Sequence, residues 1–337
     1  GTAFNITSSA SKGSTSQETA VGSALKSDAD LQLLSAGDVA VTGSLVKAAQ
    51  ALNIQAVGDI KVASQAAETH NQSQDSQLAL RGVGAETGDK QYRGGVRLEN
   101  TSTSQQLDQT SQTGSQLSGG SVKLAAGNDL SLSGSKLETA GDASLSGQNV
   151  SLNAAQSASH NDISTTVSGG GLYLTGGLDK TGAGIEFGQN SSRTVADGSA
   201  AQVSEVKTGG KLGITAGNGM GALQNQGTQI KAGGAVTIAA GDVSNQAAVS
   251  QQSTQQTSSH WGVDVGVNVD YSGITRPIAN AGGSVAKGDV AGAAGQAANL
   301  GAANLGVDIG AIGGSASSQS QSSAAQATSI AGSAINV

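Results

Sequence analysis

The sequence has no cysteine, a single proline and few aromatic residues, which make up 2% of its 337 residues. Without cysteine there can be no disulfides and no thiolate metal sites. The few aromatics and the 12% of charged residues exclude both an ordinary mixed α/β core and a highly charged disordered chain. The chain instead contains 51 glycines and many small aliphatic residues, a composition that suits a narrow core of repeated layers.

A basic surface is also missing, because the net charge is −7. With no basic stripe to neutralise phosphates, we expect no nucleic-acid partner and no electrostatic docking on anionic lipid. The start, GTAFNITSS, lacks the regions of a signal peptide, and we interpret the chain as part of a longer one. The uncharged stretch that begins at Val290 is rich in Gly, Asn and Gln, so it is a poor candidate for a membrane helix.

Pairs of aliphatic residues separated by one residue recur along the chain. In the stretch from Ala126 to Ser157 these pairs are Leu130/Leu132, Ala143/Leu145 and Val150/Leu152. Such alternation predicts short strands with one face inward, and the Gly with Asp or Asn before them predicts tight corners. Equivalent pairs begin about 20 residues apart, and whole groups of pairs recur after about 90 residues.

The two nested periods predict an all-β fold, a parallel β-helix with coils of about 20 residues. Each coil would give one strand to each face, and the inward Leu, Val and Ile would form aliphatic stacks. An α-helix is excluded because the pairs have no 3.6-residue period. A two-sheet sandwich is the structural alternative, although it would not explain two nested periods.

Strand–turn–strand elements interrupt the coils about every 90 residues and predict inserted β-hairpins. QLALRGV and GVRL form one such element, and GLYL and GIEF form the next. In the third unit the outgoing strand is HWGVDVGVNVDY, from His260 to Tyr271, and the return strand includes Gly306 to Ile309. The residues at about 274–305 are then an insertion at the hairpin tip, which we predict to be a long loop with some helix.

This pattern divides the chain into alternating blocks. The predicted blocks are a return strand over 1–21, coils over 22–70, 114–160 and 203–260, hairpins over 71–113, 161–202 and 261–329, and the start of a further coil over 330–337.

The three histidines, His70, His160 and His260, are the first candidates for a metal site. We place each of them where the last coil of a unit leaves for its hairpin, so that several coils separate them. At about 4.8 Å per coil the separation would be roughly 20 Å or more. Zinc needs ligand bonds near 2 Å, so we expect a structural or surface role and no metal.

No pattern in the sequence indicates catalysis or a cofactor. Gly169 to Gly171 lie in a strand pattern rather than in a phosphate-binding loop, and there is no GxSxG nucleophile elbow. Enzymes with a β-helix fold cluster Asp, Lys and Arg on the coils, whereas four arginines here fall in or near the hairpins: Arg81, Arg93, Arg97 and Arg193. We expect no enzyme and no small-molecule substrate; a carbohydrate-active enzyme is the alternative, and the four arginines are interpreted as solvated hairpin surface.

The phrases AGNDLSL, AGDASLSGQNVSLNAA and AGGAVTIAAGDV resemble the haemagglutinin repeats of filamentous-haemagglutinin-like exoproteins of two-partner secretion systems. With the inserted hairpins, the chain is most similar to the downstream repeat region of contact-dependent growth inhibition effectors of the CdiA type. The third unit departs from the pattern through its long insertion and an irregular coil around Met220. The resemblance implies a right-handed β-helix, export by an outer-membrane two-partner secretion transporter, and a secreted or cell-surface location in a Gram-negative bacterium.

The resemblance also implies a role in carrying a C-terminal toxin across the target cell's outer membrane. We therefore expect a non-enzymatic delivery segment, with an adhesin filament that binds cell surfaces as the alternative. In the hairpin strands HWGVDVGVNVDY and GLYLTGGL, apolar residues alternate with small or polar ones. Such alternation is typical of membrane-spanning β-strands, so these strands are the candidate contact with the target outer membrane or a surface receptor. They could also pair with one another along the filament, or lie on the β-helix. The candidate contact residues are Trp261, Val263, Val265, Val267, Val269, Tyr271, Leu172, Tyr173 and Leu174.

Overall fold

The computed structural model describes residues 2–88, 91–287, 296 and 301–337. The first strands are β1 (Thr2–Gln17), β2 (Ala24–Ser27), β3 (Leu31–Ser35), β4 (Val39–Thr42), β5 (Leu45–Ala48), β6 (Ala51–Ala56), β7 (Ile60–Ala63) and β8 (Gln65–Gly88). They are followed by β9 (Gln91–Thr113), β10 (Gln116–Gly119), β11 (Ser121–Ala126), β12 (Leu130–Ser133), β13 (Lys136–Thr139), β14 (Ala143–Gly147), β15 (Val150–Asn153) and β16 (Ala155–Gly176). The next elements are β17 (Lys180–Gln202), β18 (Glu205–Thr208), β19 (Leu212–Ala216), a 3-10 turn (Gly217–Gly219), β20 (Ala222–Gln226), β21 (Gln229–Ala232), β22 (Val236–Ala239), β23 (Asp242–Gln246) and β24 (Ala248–Asp270). The last elements are α1 (Ser272–Ala286), β25 (Asn304–Gln326), β26 (Ser329–Ala331) and β27 (Ile335–Asn336).

The short strands form a three-sided, right-handed parallel β-helix, which confirms the predicted fold. Each coil gives one strand to each of three parallel sheets, whose orders are β2-β5-β10-β13-β18-β21-β26, β3-β6-β11-β14-β19-β22-β27 and β4-β7-β12-β15-β20-β23. Two coils stand between consecutive hairpins, since β4 and β7 complete one pair of coils and β12 and β15 the next.

Aliphatic columns run up the inside of the β-helix because equivalent residues pair in register. Leu130 pairs with Ile60 on one side and with Val150 on the other, and all three are at most 1% exposed. Burying one such side chain contributes about 2 kcal/mol. A coil has no partner for this surface within itself, so its stability depends on the coils above and below it.

Two corners at which the chain returns from a hairpin contain a buried hydroxyl, that of Ser115 and that of Ser204. Ser115 is 0% exposed, and its Oγ donates to the carbonyl oxygens of Val41 and Ala63 at 3.1 and 2.7 Å. Ser204 is placed in the same way and donates to Leu132 and Asn153 at 3.3 and 2.6 Å. These bonds satisfy buried polar atoms at the point where the chain returns from a hairpin.

The six long hairpin strands and β1 form a single antiparallel sheet. Its order is β1-β8-β9-β16-β17-β24-β25, so each hairpin pairs with the next along the whole length of the strands. The reason is one of spacing, since coils and neighbouring strands both repeat at about 4.8 Å. Two coils therefore rise by the width of one two-stranded hairpin, and consecutive hairpins come to lie side by side.

Of the arrangements considered for the hairpins, the structure shows pairing with one another; they do not lie on the β-helix. The sheet is a single layer that projects from the coils, and with 23 residues β24 extends about 78 Å at 3.4 Å per residue. Bonds near the base join the two parts: Gln202 Nε2 donates to the Gly134 carbonyl at 2.8 Å, and Ser64 Oγ donates to Gln112 Oε1 at 2.8 Å.

The structure moves several predicted boundaries. The hairpins start at Gln65, Ala155 and Ala248, whereas the predicted coils ran to 70, 160 and 260. The sequence does not mark the exits because the extended polar pattern continues through them without a break. All three histidines consequently lie inside long strands.

Part of the predicted tip insertion at 274–305 is helical, since α1 covers Ser272–Ala286. This helix begins immediately after the end of β24. Residues 288–295 and 297–300 of that insertion lie outside the described residues. The start of α1 is fixed to the turn of the neighbouring hairpin, where Thr275 Oγ1 donates to Asp179 Oδ1 at 2.6 Å. In the part of the chain that the structure describes, no helix is long and apolar enough to cross a membrane.

Replacing Leu132 or Val150 with Asp places an unpaired charge inside the aliphatic columns. We expect each change to destabilise the fold by on the order of 4 kcal/mol or more, measured as a shift of the urea midpoint followed by circular dichroism. Ser131→Asp on the outward side of β12 is the matched control. Unchanged midpoints for both core variants would show that the β-helix assignment is wrong.

Replacing Gly134 with Ala should destabilise the exit of the second hairpin. Gly134 has φ +55°, and a Cβ at this position would lie 2.5 Å from the Ala155 Cβ. We expect a loss of at least about 1–2 kcal/mol from the left-handed backbone alone. Gly213→Ala is the control, since a Cβ there meets nothing within 4 Å; equal midpoints for the two variants would contradict this account.

Candidate functional site

Strand alternation gives the distal half of the long-stranded sheet one apolar face. Directly paired residues lie on the same face of a sheet. Leu80 pairs with Leu98, and Phe187 pairs with Val263, in one row across the strands. In the next row Val96 pairs with Leu172, which in turn pairs with Ile185. Apolar residues thus recur at every second position on neighbouring strands.

These residues form a continuous surface that we call the apolar band. Every member is at least 36% exposed, and a contiguous exposed apolar surface of this kind marks an interaction site. The members of the apolar band are Phe4, Ile6, Leu78, Leu80, Tyr92, Val96, Leu98, Leu172, Leu174, Ile185, Phe187, Trp261, Val263, Val265, Val267, Val269, Leu305, Val307 and Ile309.

The structure places seven of the nine candidate contact residues on the apolar band, namely Trp261, Val263, Val265, Val267, Val269, Leu172 and Leu174. Tyr173 lies on the opposite face, since it alternates with Leu172 and Leu174. Tyr271 follows the end of β24, and its hydroxyl donates to the Gly177 carbonyl at 2.6 Å. We therefore remove these two tyrosines from the candidate contact surface.

Tyr173 belongs to a polar cluster on the face opposite the apolar band. Its hydroxyl donates to Asp264 Oδ1 at 2.6 Å, and the guanidinium of Arg93 lies 3.5 Å from its ring centroid. Partial burial, together with the hydrogen bond to Asp264, raises the pKa of Tyr173 to about 12. The hydroxyl therefore remains protonated and keeps donating to the carboxylate at neutral pH.

Three aromatic side chains of the sheet each lie across a paired glycine. Phe4 faces Gly82, and Tyr173 faces Gly184. A Cβ on Gly82 would come within 2.5 Å of the Phe4 ring, and one on Gly184 within 2.3 Å of the Tyr173 hydroxyl. Phe187 and Gly170 are related in the same way. The glycines therefore clear space for rings that fold flat over the neighbouring strand.

Nearer the base, two histidines and two aspartates form one row across four strands. His70 pairs with Asp108, Asp108 with His160, and His160 with Asp197. His70 Nδ1 lies 2.8 Å from Asp108 Oδ1, and His160 Nδ1 lies 2.6 Å from Asp197 Oδ1. This corrects the predicted separation by several coils, because His70 and His160 are two strands, or about 10 Å, apart.

The histidine–aspartate contacts shift the pKa values of His70, His160 and Asp108. The hydrogen bond to Asp108 raises the pKa of His70, and the one to Asp197 raises that of His160. The hydrogen bond from His70 lowers the pKa of Asp108. Among the described residues no group of three or more His, Asp and Glu is placed to hold a metal ion.

The sequence predicts the alternation of the hairpin strands but not the partners that their side chains meet across strands. The four arginines lie on the hairpin strands with 33% to 60% of their side chains exposed, and each is also ion-paired: Arg193 Nη2, for example, lies 2.6 Å from Asp162 Oδ2. The polar runs of neighbouring hairpins carry charges of opposite sign. These charges identify the ion-pair partners only when the register between the hairpins is known.

A β-helix of two-coil blocks with hairpins joined into one sheet defines an elongated repeat protein. The Hemagglutinin repeat family matches residues 4–169 and 185–300. A hemolysin of Serratia marcescens is 42% identical over 339 residues, which cover 100% of this chain and 21% of that protein. A hemolysin of Proteus mirabilis is 33% identical over 348 residues, covering 98% of this chain and 22% of that protein.

The chain spans about a fifth of the length of these two relatives, and no solved structure matches it. It belongs to the hemagglutinin repeat family and is of the filamentous-haemagglutinin-like exoprotein type.

The histidine row predicts a pH dependence of the sheet. Because the pKa values of His70 and His160 are raised above 6.5, their contribution to stability is present below pH 6.5 and is lost as the pH rises through the raised values. Asp108 has the opposite sign: its contribution is present above pH 3.8 and is lost as the pH falls through its lowered value.

An NMR titration of the histidine ring protons measures these shifts directly. We expect both histidines to titrate above 6.5, and Asp108→Asn to lower the pKa of His70 more than that of His160, whose main partner is Asp197. A His70 that titrates at or below 6.5 in the unmodified chain would contradict the pairing.

Proposed function

We propose that this chain is a non-enzymatic part of a secreted exoprotein and that its apolar band contacts the membrane of a target cell. The observation that carries the proposal is the band itself, an exposed apolar face on a single-layer sheet that projects from the β-helix. The β-helix then acts as the rigid support from which the sheet projects toward the membrane.

The height of the apolar band supports a lipid bilayer as the partner. From Trp261 to Val269 the band covers eight residue steps, about 27 Å at 3.4 Å per step. The hydrocarbon core of a bilayer is about 30 Å thick. Trp261 stands at the base end of the band and Tyr92 near its tip, the positions that aromatic side chains favour at a membrane interface.

Export through an outer-membrane two-partner secretion transporter of a Gram-negative bacterium is part of the proposal. It rests on the family and on the two hemolysins, and it is compatible with a sequence free of cysteine, which cannot be trapped by disulfides in an oxidising periplasm.

Two roles would use the same membrane contact. The name hemolysin of both relatives favours direct action on a target membrane. Delivery of a C-terminal toxin across the target outer membrane, as in a contact-dependent inhibition effector of the CdiA type, would need the same exposed sheet. An adhesin that binds a surface receptor is the alternative, and it would not require lipid.

Flotation of the 337-residue chain with phosphatidylcholine vesicles tests the membrane contact. We expect the chain to float with the vesicles and Val265→Asp to reduce the bound fraction tenfold or more, because a charge in lipid costs about 2.5 kcal/mol. Val167→Asp is the matched control: it is the same substitution in the same sheet, but on the opposite face.

Equal flotation of the two variants would count against the apolar band as the contact surface. A chain that stays in the soluble fraction but still binds intact cells would favour the adhesin.

A further inference from the structure

Six charged side chains form one continuous series of ion pairs on the face opposite the apolar band. Arg81 Nη1 lies 3.3 Å from Glu99 Oε2, and Arg97 Nε lies 3.0 Å from Glu99 Oε1. Arg97 Nη1 then lies 3.4 Å from Glu186 Oε1. The series continues through Arg93 Nη2, which lies 2.6 Å from Glu186 Oε2 and 3.2 Å from Asp264 Oδ2. Three arginines alternate with three carboxylates, so the series has no net charge.

The six residues come from three different hairpins. Arg81, Arg93, Arg97 and Glu99 lie on the first hairpin, β8–β9, while Glu186 lies on the second and Asp264 on the third. Among the described ion pairs, those of Arg93 reach both of the other hairpins. Tyr173 completes the connection, since it carries the Arg93 guanidinium over its ring and donates to Asp264.

Two glycines make the crossing of Tyr173 possible. A Cβ on Gly184 would lie 2.3 Å from the Tyr173 hydroxyl, and one on Gly266 would lie 2.8 Å from it. The sequence therefore leaves the neighbouring strands bare where the ring passes over them to reach Asp264. The side chains involved are between 17% and 43% exposed, so water screens these pairs less than fully exposed ones.

The ion pairs lie directly behind the apolar band. Gly184 is flanked along β17 by Ala183 and Ile185, which pair with Leu174 and Leu172 on the other face. We propose that Arg93 is a positioning residue whose ion pairs hold the three hairpins together, so that the apolar band presents one continuous surface. We call Arg93 with its ion-pair partners Glu186 and Asp264 the clasp. The part of this inference that concerns lipid rests on the proposed membrane contact.

The substitution Arg93→Ala tests the clasp independently of the apolar band, because it changes no residue of the band. Arg93→Ala leaves the carboxylates of Glu186 and Asp264 close together without their shared cation, which disfavours the joined arrangement. We expect flotation with phosphatidylcholine vesicles to fall about fivefold, as for the loss of a central member of a partly exposed ion-pair network. Arg81→Ala is the matched control, since the ion pair of Arg81 stays within the first hairpin.

A disulfide between the first two hairpins tests whether Arg93 acts by joining them. Ser104 Oγ and Ser164 Oγ lie 3.0 Å apart on β9 and β16, and the chain has no other cysteine to interfere. We expect Ser104→Cys with Ser164→Cys, once oxidised, to restore flotation in the Arg93→Ala background. Restoration should disappear when the disulfide is reduced.

Amide hydrogen exchange across β9 and β16 provides a readout that does not depend on lipid. We expect faster exchange at this junction in Arg93→Ala than in Arg81→Ala. The clasp is overturned if the two variants exchange alike, or if the oxidised disulfide leaves flotation low. If the unmodified chain does not float, the membrane contact has failed, and the exchange data alone decide the clasp.

Discussion

The structure depends on one spacing, the distance of about 4.8 Å between neighbouring β-strands. It sets the rise of each coil, and therefore the stacking of columns such as Ile60, Leu130 and Val150. It also sets the width of a hairpin. Because two coils and one hairpin advance by the same amount, a hairpin after every second coil always meets the next one. The projecting sheet follows from the same hydrogen-bond geometry as the β-helix.

The two parts of the molecule use this geometry in opposite ways. The coils turn most of their aliphatic residues inward, so they expose little apolar surface that a partner could contact. The long strands form a single layer with no interior, so the alternation of their residues appears on two exposed faces. One face concentrates apolar residues near the tip, and the other compensates its charges internally through the pairs centred on Arg93. The exposed apolar band and its support thus come from a single type of secondary structure.

Much of the architecture could be predicted from the sequence because it is local and repeated. Pairs such as Leu130/Leu132, corners with Gly and Asp, and two nested periods predict strands, coils and hairpins without knowledge of any long-range contact. The exits at Gln65, Ala155 and Ala248 could not be placed, since the polar pattern is the same on both sides of each one. The face of Tyr173 and the position of Tyr271 beyond the end of β24 could not be predicted either, because alternation alone does not say where a strand ends or which side is charged.

The sequence by itself determined the β-helix, its aliphatic columns and the alternation of the hairpin strands, because each depends on residues only a few positions apart. Only the tertiary structure decided that the hairpins join into one sheet, that His70, Asp108, His160 and Asp197 share a row, and that Arg93 reaches three hairpins. These relations join residues up to 171 positions apart. They depend on the register between hairpins, which the rise of the intervening coils fixes and which no local pattern specifies.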